Sequence, residues 1–177
     1  MTSISTHPFI NRISRCVGLL WTLLRFAVMA FAAVAGLATL AMVTLICVDI
    51  LVRFFGYPFA GTYDIVRFLG TIAIAGALPY TTAVKGHVAV EYFFHKLHRV
   101  GRVLVDTVSR LIVMVLFSTF SWQCVQHGLS LKAANEVSLT LGLPLFWMSY
   151  VIAAACFLTT LVVLYNLLHP GREMIKP

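Results

Sequence analysis

The sequence predicts an all-α membrane protein: four transmembrane helices, with amphipathic interfacial helices before the first and between the second and third. Three observations carry that reading. The 177-residue chain is 60% hydrophobic and only 11% charged, where a soluble domain carries about 25% charge. Its mean hydropathy of +0.95 means more apolar surface than a globular core of this length can hide, so the solvent must be lipid. Charge is also absent from four runs: 23 residues over 26–48, 17 over 68–84, 21 over 111–131 and 35 over 137–171. Crossing a hydrocarbon core of about 30 Å takes about 20 helical residues. The first and third runs therefore span, the fourth holds a span plus an entry segment, and the second borrows turns from its flanks. The expected spans are 26–48, 65–84, 108–131 and 145–168, in a single membrane domain with no separate soluble part.

Taken in order, the chain begins with "FINRISRCVGLLWTLLRF". Phe9, Ile13, Val17, Leu20 and Leu24 recur there at helical spacing, with Arg12, Arg15 and Thr22 off the stripe. Residues 8–25 thus read as an amphipathic helix in the interface that runs into span 1, with a partner-binding helix as the alternative. Trp21 and Arg25 suit the headgroup level. Span 1 is rich in small residues, and Gly36 is expected to face another helix, because small residues let backbones approach in lipid. After span 2, "KGHVAVEYFFHKLHRVGRVLVDTVSR" is the longest polar stretch. Phe93, Leu97, Val100 and Leu104 form a second stripe, so 92–104 reads as another interfacial helix, continuing into span 3. Gln123, Gln126 and His127 share one face late in span 3, a patch that hydrogen-bonds to a neighbouring helix or meets headgroups. Gly142 and Pro144 then break the chain before the aromatic belt of Phe146, Trp147 and Tyr150. Tyr165 and Asn166 mark the far end of span 4.

A net charge of +7 could suggest nucleic acid, but its placement argues for topology instead. Of the 13 Lys and Arg, ten fall before span 1, between spans 2 and 3 and after span 4, and three fall in the other two loops. By the positive-inside rule, both termini and the central loop are cytoplasmic. The first apolar run begins after 25 residues and is too long for a signal-peptide core, so it reads as a retained span.

Enzyme chemistry lacks its parts. Cys16, Cys47, Cys124 and Cys156 form no C-x-x-C pair and read as small buried hydrophobes. His87, His95 and His98 sit beside Lys96 and Arg99, which repel a cation, and no carboxylate or Cys completes a tetrahedral set. A dihaem cytochrome would need His deep in facing helices, and a proton-coupled exporter a carboxylate at a span centre. Neither is present, so no catalytic residue, cofactor or metal is expected. The second reading kept open is a stand-alone four-helix membrane enzyme, quinone- or haem-linked, or a small exporter.

The most ordered passage is "DILVRFFGYPFAGTYDIVRF", residues 49–68. Asp49 and Arg53 are four apart, Gly56, Pro58 and Gly61 supply turn chemistry, and Thr62 is placed to N-cap span 2. Asp64 then lies in the first turn with Arg67 three residues on. Local physics explains these residue types without explaining their order.

An Asp-x-x-x-Arg-Phe-x-Gly-x-Pro phrase, a Gly-x-x-Asp-x-x-Arg helix start and a later Lys-Gly-His-Val-x-Val-Glu resemble the small integral-membrane (Q) subunit of TRAP transporters. The matching residues are Asp49, Arg53, Phe54, Gly56, Pro58, Gly61, Asp64, Arg67, Gly86, His87, Val88, Val90 and Glu91, within a likeness covering roughly 20–168. The family often has Glu at position 64 and Asp at position 91, and both differences keep the charge. The resemblance implies a non-catalytic scaffold beside a large multi-span (M) subunit. That subunit would hold the substrate and sodium sites and import an organic acid, such as a C4-dicarboxylate or a sialic acid, delivered by a periplasmic binding protein. Asp49, Arg53, Pro58, Gly61, Asp64 and Arg67 would then form the interface with the large subunit or dock the binding protein. Gly86, His87 and Glu91 would shape a cytoplasmic turn. The implied partners are these two proteins and membrane lipids, with no nucleic acid.

Overall fold

The computed structural model describes residues 8–57, 61–84 and 99–168. They form four helices: α1 (Pro8–Phe54), α2 (Thr62–Ala83), α3 (Arg99–Ala133) and α4 (Phe146–Leu168). Each contains a stretch long and apolar enough to cross a membrane: Gly18–Phe54, Thr62–Ala83, Thr107–Ala133 and Phe146–Leu168. Among the described residues there is no strand, only an isolated antiparallel bridge between Val137 and Pro144.

The interfacial helix expected at 8–25 and the span expected at 26–48 are one unbroken rod of 47 residues, about 70 Å at 1.5 Å per residue. Nothing in 8–54 breaks it after Pro8, since no further proline occurs and Gly18 and Gly36 only weaken a helix. On the expected apolar stripe, Leu24 is in the core while Leu20 faces outward. Most of the interfacial helix expected at 92–104 lies outside the described residues. Its described end, from Arg99, is continuous with α3.

The helices stand side by side in the order α1, α2, α4, α3: α1 packs on α2, α2 on α4 and α4 on α3, with slighter contact between α1 and α4. Both inner helices suit two neighbours. Along α4, Ser149 and Ala153 meet α3, where Ser121 donates its hydroxyl to the Ala153 carbonyl at 3.0 Å. On another side, Val162 packs with Leu24, Val28 and Ala83 in the main apolar cluster, flanked by Trp21, Tyr80 and Tyr165. Trp21 and Tyr165 meet edge to face, 4.7 Å between ring centres. Pro79, also buried, sits inside α2 without ending it.

Backbone closeness between α1 and α2 comes from Gly76, not from Gly36. A Cβ at Gly76 would lie 2.7 Å from the Phe31 carbonyl oxygen and 2.9 Å from the Ala35 Cβ. Gly36 is exposed with nothing within 4 Å of such an atom, so Ala35 rather than its neighbour faces the partner helix. The cysteines also depart from the reading as buried hydrophobes: Cys156 is buried and Cys124 half-buried, but Cys47 is exposed on α1.

Candidate functional site

At one end of the row, two helices stop in the same way. In α1, Gly56 adopts φ +88°, Tyr57 N–H donates to the Val52 carbonyl at 3.2 Å and Gly56 N–H to the Arg53 carbonyl at 3.0 Å. In α3, Asn135 takes φ 52°, Glu136 N–H reaches the Leu131 carbonyl at 3.1 Å and Asn135 N–H the Lys132 carbonyl at 3.2 Å. Both are Schellman caps, in which a left-handed residue folds the chain back over the last turn. Beyond the second cap, residues 136–145 form a narrow loop closed by bonds from Ser138 N–H to the Leu143 carbonyl and Leu145 N–H to the Glu136 carbonyl.

Two carboxylates tie this end together. Asp49, 9% exposed, receives Arg53 Nη2 at 3.0 Å on one oxygen and the Thr62 hydroxyl at 2.9 Å on the other, linking α1 to α2. Thr62 is not the N-cap: Gly61 holds that position with no side-chain cap bond, and the Thr62 hydroxyl donates across the turn to Asp49. Asp64 is more enclosed, at 3% exposure. Its Oδ2 accepts from the Ser138 and Thr140 hydroxyls and from the Thr140 and Leu141 backbone N–H groups, the last two at 3.1 Å each. The 136–145 loop thus wraps an anion supplied by α2, and successive donors converging on one oxygen form a nest. Gly61 makes room for this closure, because a Cβ there would lie 2.9 Å from the Leu141 side chain.

The site residues expected from sequence divide by burial. Asp49, Gly61 and Asp64 are buried and engaged within the chain, whereas Arg53 and Arg67 are exposed. Arg67 acts on Asp64 through its charge, with no hydrogen bond between them. Pro58 lies outside the described residues, as do Gly86, His87 and Glu91. Around the two arginines, Phe54, Phe55, Tyr57 and Tyr63 are all more than 70% exposed. Nearby, Phe146 stacks on Trp147 at 5.2 Å, and Lys132 Nζ lies 5.9 Å above the Phe146 ring.

Sequence reasoning missed the loop's part in this clasp. Ser138, Thr140 and Leu141 lie 74–77 residues from Asp64, and nothing local marks them as its donors. It also missed the tie at the opposite end, where Asn166 Nδ2 donates to the Thr82 carbonyl at 3.4 Å and Arg110 donates to the Asn166 carbonyl. Among the described residues, no group of three or more His, Cys, Asp or Glu is placed to hold a metal ion.

The two ties differ in expected strength. Replacing Thr62 by valine removes a hydrogen bond to a buried carboxylate and is expected to cost about 1–2 kcal/mol. Arg53→Ala breaks an ion pair whose cation is 66% exposed, worth at most about 1 kcal/mol. Thermal melts of both variants in detergent check the order.

Four apolar helices, cross-tied at both ends by polar side chains, define a multi-pass membrane protein. A family model described as "Tripartite ATP-independent periplasmic transporters, DctQ component" matches residues 42–172, and the chain belongs to that family. It is therefore a component of a tripartite transporter. None of the curated proteins or solved structures compared with the chain matches it.

Proposed function

We propose that the chain is the small, non-catalytic scaffold subunit of a sodium-coupled importer of an organic acid. In this reading it sits in a bacterial inner membrane with both termini in the cytoplasm. A large multi-span subunit beside it carries the substrate and sodium, and a periplasmic binding protein delivers the acid. The clasp end, with the α1–α2 turn and the 136–145 loop, faces the periplasm. Family membership supports the component over a stand-alone enzyme or exporter.

One observation carries the scaffold reading. The two carboxylates at the clasp end hold helices and loop together instead of facing an open path, so their charge is spent on shape. What that shape presents outward is Arg53 and Arg67 among exposed aromatic rings, a surface suited to an incoming protein.

The direct test is pull-down from mild detergent with mass spectrometry, which should recover a large multi-span subunit. In proteoliposomes holding the complete transporter, Arg53→Ala and Arg67→Ala should each lower uptake several-fold while the chain still inserts. Unchanged uptake in both removes the docking role. Transport of an acid or of sodium by this chain alone in vesicles would overturn the scaffold assignment.

A further inference from the structure

The face of α3 turned away from α4 makes a demand that lipid cannot meet. Arg110 and Lys132 bracket the charge-free part of this helix, and Ser121 lies midway between them. Gln123 and Gln126 are two and five residues past that point, about 3 and 7.5 Å along the axis, against a hydrocarbon half-thickness of about 15 Å. Both carboxamides are exposed, and neither has a hydrogen-bond partner among the described residues. Thr119 and Ser130 on the same helix return their hydroxyls to the Val115 and His127 carbonyls, each at 2.8 Å. A glutamine side chain cannot be quieted so simply. It carries two donors and an acceptor, and leaving them bare in hydrocarbon costs several kcal/mol.

Shape and register agree with this demand. Ile112, Val115, Leu116, Thr119, Phe120 and Gln123 lie along one open, largely apolar flank of α3. Ile112, Leu116, Thr119, Gln123 and Gln126 follow one another at intervals of four, three, four and three, the spacing of a seam between two helices. The uncovered face of α1 makes no such demand. Gly36, Leu37, Leu40 and Val43 are exposed there, and the Thr39 and Thr44 hydroxyls bond carbonyls of their own helix.

We infer that the seam from Ile112 to Gln126 packs against a transmembrane helix of the large subunit, one that presents hydrogen-bonding side chains level with Gln123 and Gln126. The inference rests on the transporter-component reading and adds which face of the chain meets the partner. Bonds of this kind between membrane helices are worth about 3-fold each in association, so Gln123→Leu with Gln126→Leu should weaken capture of the large subunit by about 10-fold.

A photo-crosslinking residue, benzoylphenylalanine, placed in turn at positions 116, 123 and 126 of the tagged chain in the assembled transporter tests the geometry. Adducts with the mass of this chain plus the large subunit are expected from all three, and none from positions 37 and 40 in α1. If α3 yields only lipid adducts while the unmodified chain still captures the large subunit, the seam is overturned and the component reading stands. Adducts between two copies of this chain also overturn it. If the unmodified chain captures no large subunit at all, both fail together.

Discussion

Asp64→Ala unfolds the clasp: the variant is expected to lose about 3 kcal/mol and to melt about 6–12 °C below the parent chain in detergent. Hydrogen bonds to a charged acceptor contribute about 1.5–3 kcal/mol each, and here one oxygen collects four donors from a single loop. Their loss is not additive, because the Thr140 and Leu141 N–H groups can turn to water once the loop opens. The Ser138 hydroxyl is buried and cannot do so as easily. Opening should also make the 136–145 loop a preferred cleavage site in limited proteolysis. Asp64→Asn keeps an acceptor oxygen but loses the charge, and should fall between the two. An Asp64→Ala chain that melts with its parent and resists protease would show that the nest contributes nothing.

Gly76→Leu is expected to have an effect at least as large, by a different route. The α1–α2 contact is close because Gly76 has no side chain: even the first added carbon meets a backbone oxygen at 2.7 Å. Backbone cannot yield as a flexible side chain can, so Gly76→Ala should cost about 1–3 kcal/mol and Gly76→Leu more, separating the two helices. Gly36→Ala supplies the contrast. It puts the same methyl group into the neighbouring helix where nothing lies within 4 Å, and should be neutral or stabilising by up to about 1 kcal/mol. Melts of the three variants in one detergent settle the matter. Equal destabilisation by Gly76→Ala and Gly36→Ala would mean that the close approach is not what holds α1 to α2.

The four helices could be read directly, because lipid forces charge to helix ends and a gap in charge needs no knowledge of neighbours. The same rule located the 49–68 turn and its charged residues. What each charge does there depends on contacts that no local pattern records. Thr62 looked like a cap because Ser and Thr commonly cap helices, but Gly61 holds that position and the Thr62 hydroxyl donates to Asp49 across the turn. Asp64 looked like a dipole partner in a first turn, and its main donors come from a loop more than 70 residues away. Gly36 and Gly76 are alike as letters, and only the rotation of α1 decides which helix contributes the gap. Periodicity reports which residues share a face, whereas packing decides what that face meets.

The side-by-side order of the helices has a further consequence. A closed ring of four would enclose a middle and leave a convex rim. This arrangement instead ends in two outer helices: α3 is held by α4, and α1 by α2 with a slighter contact to α4. Among the described residues, its edges are unfinished in the way a plank's are. Another helix laid against the outer flank of α3 would meet exposed side chains and no packed neighbour, so the wall can be widened there without disturbing what is already built.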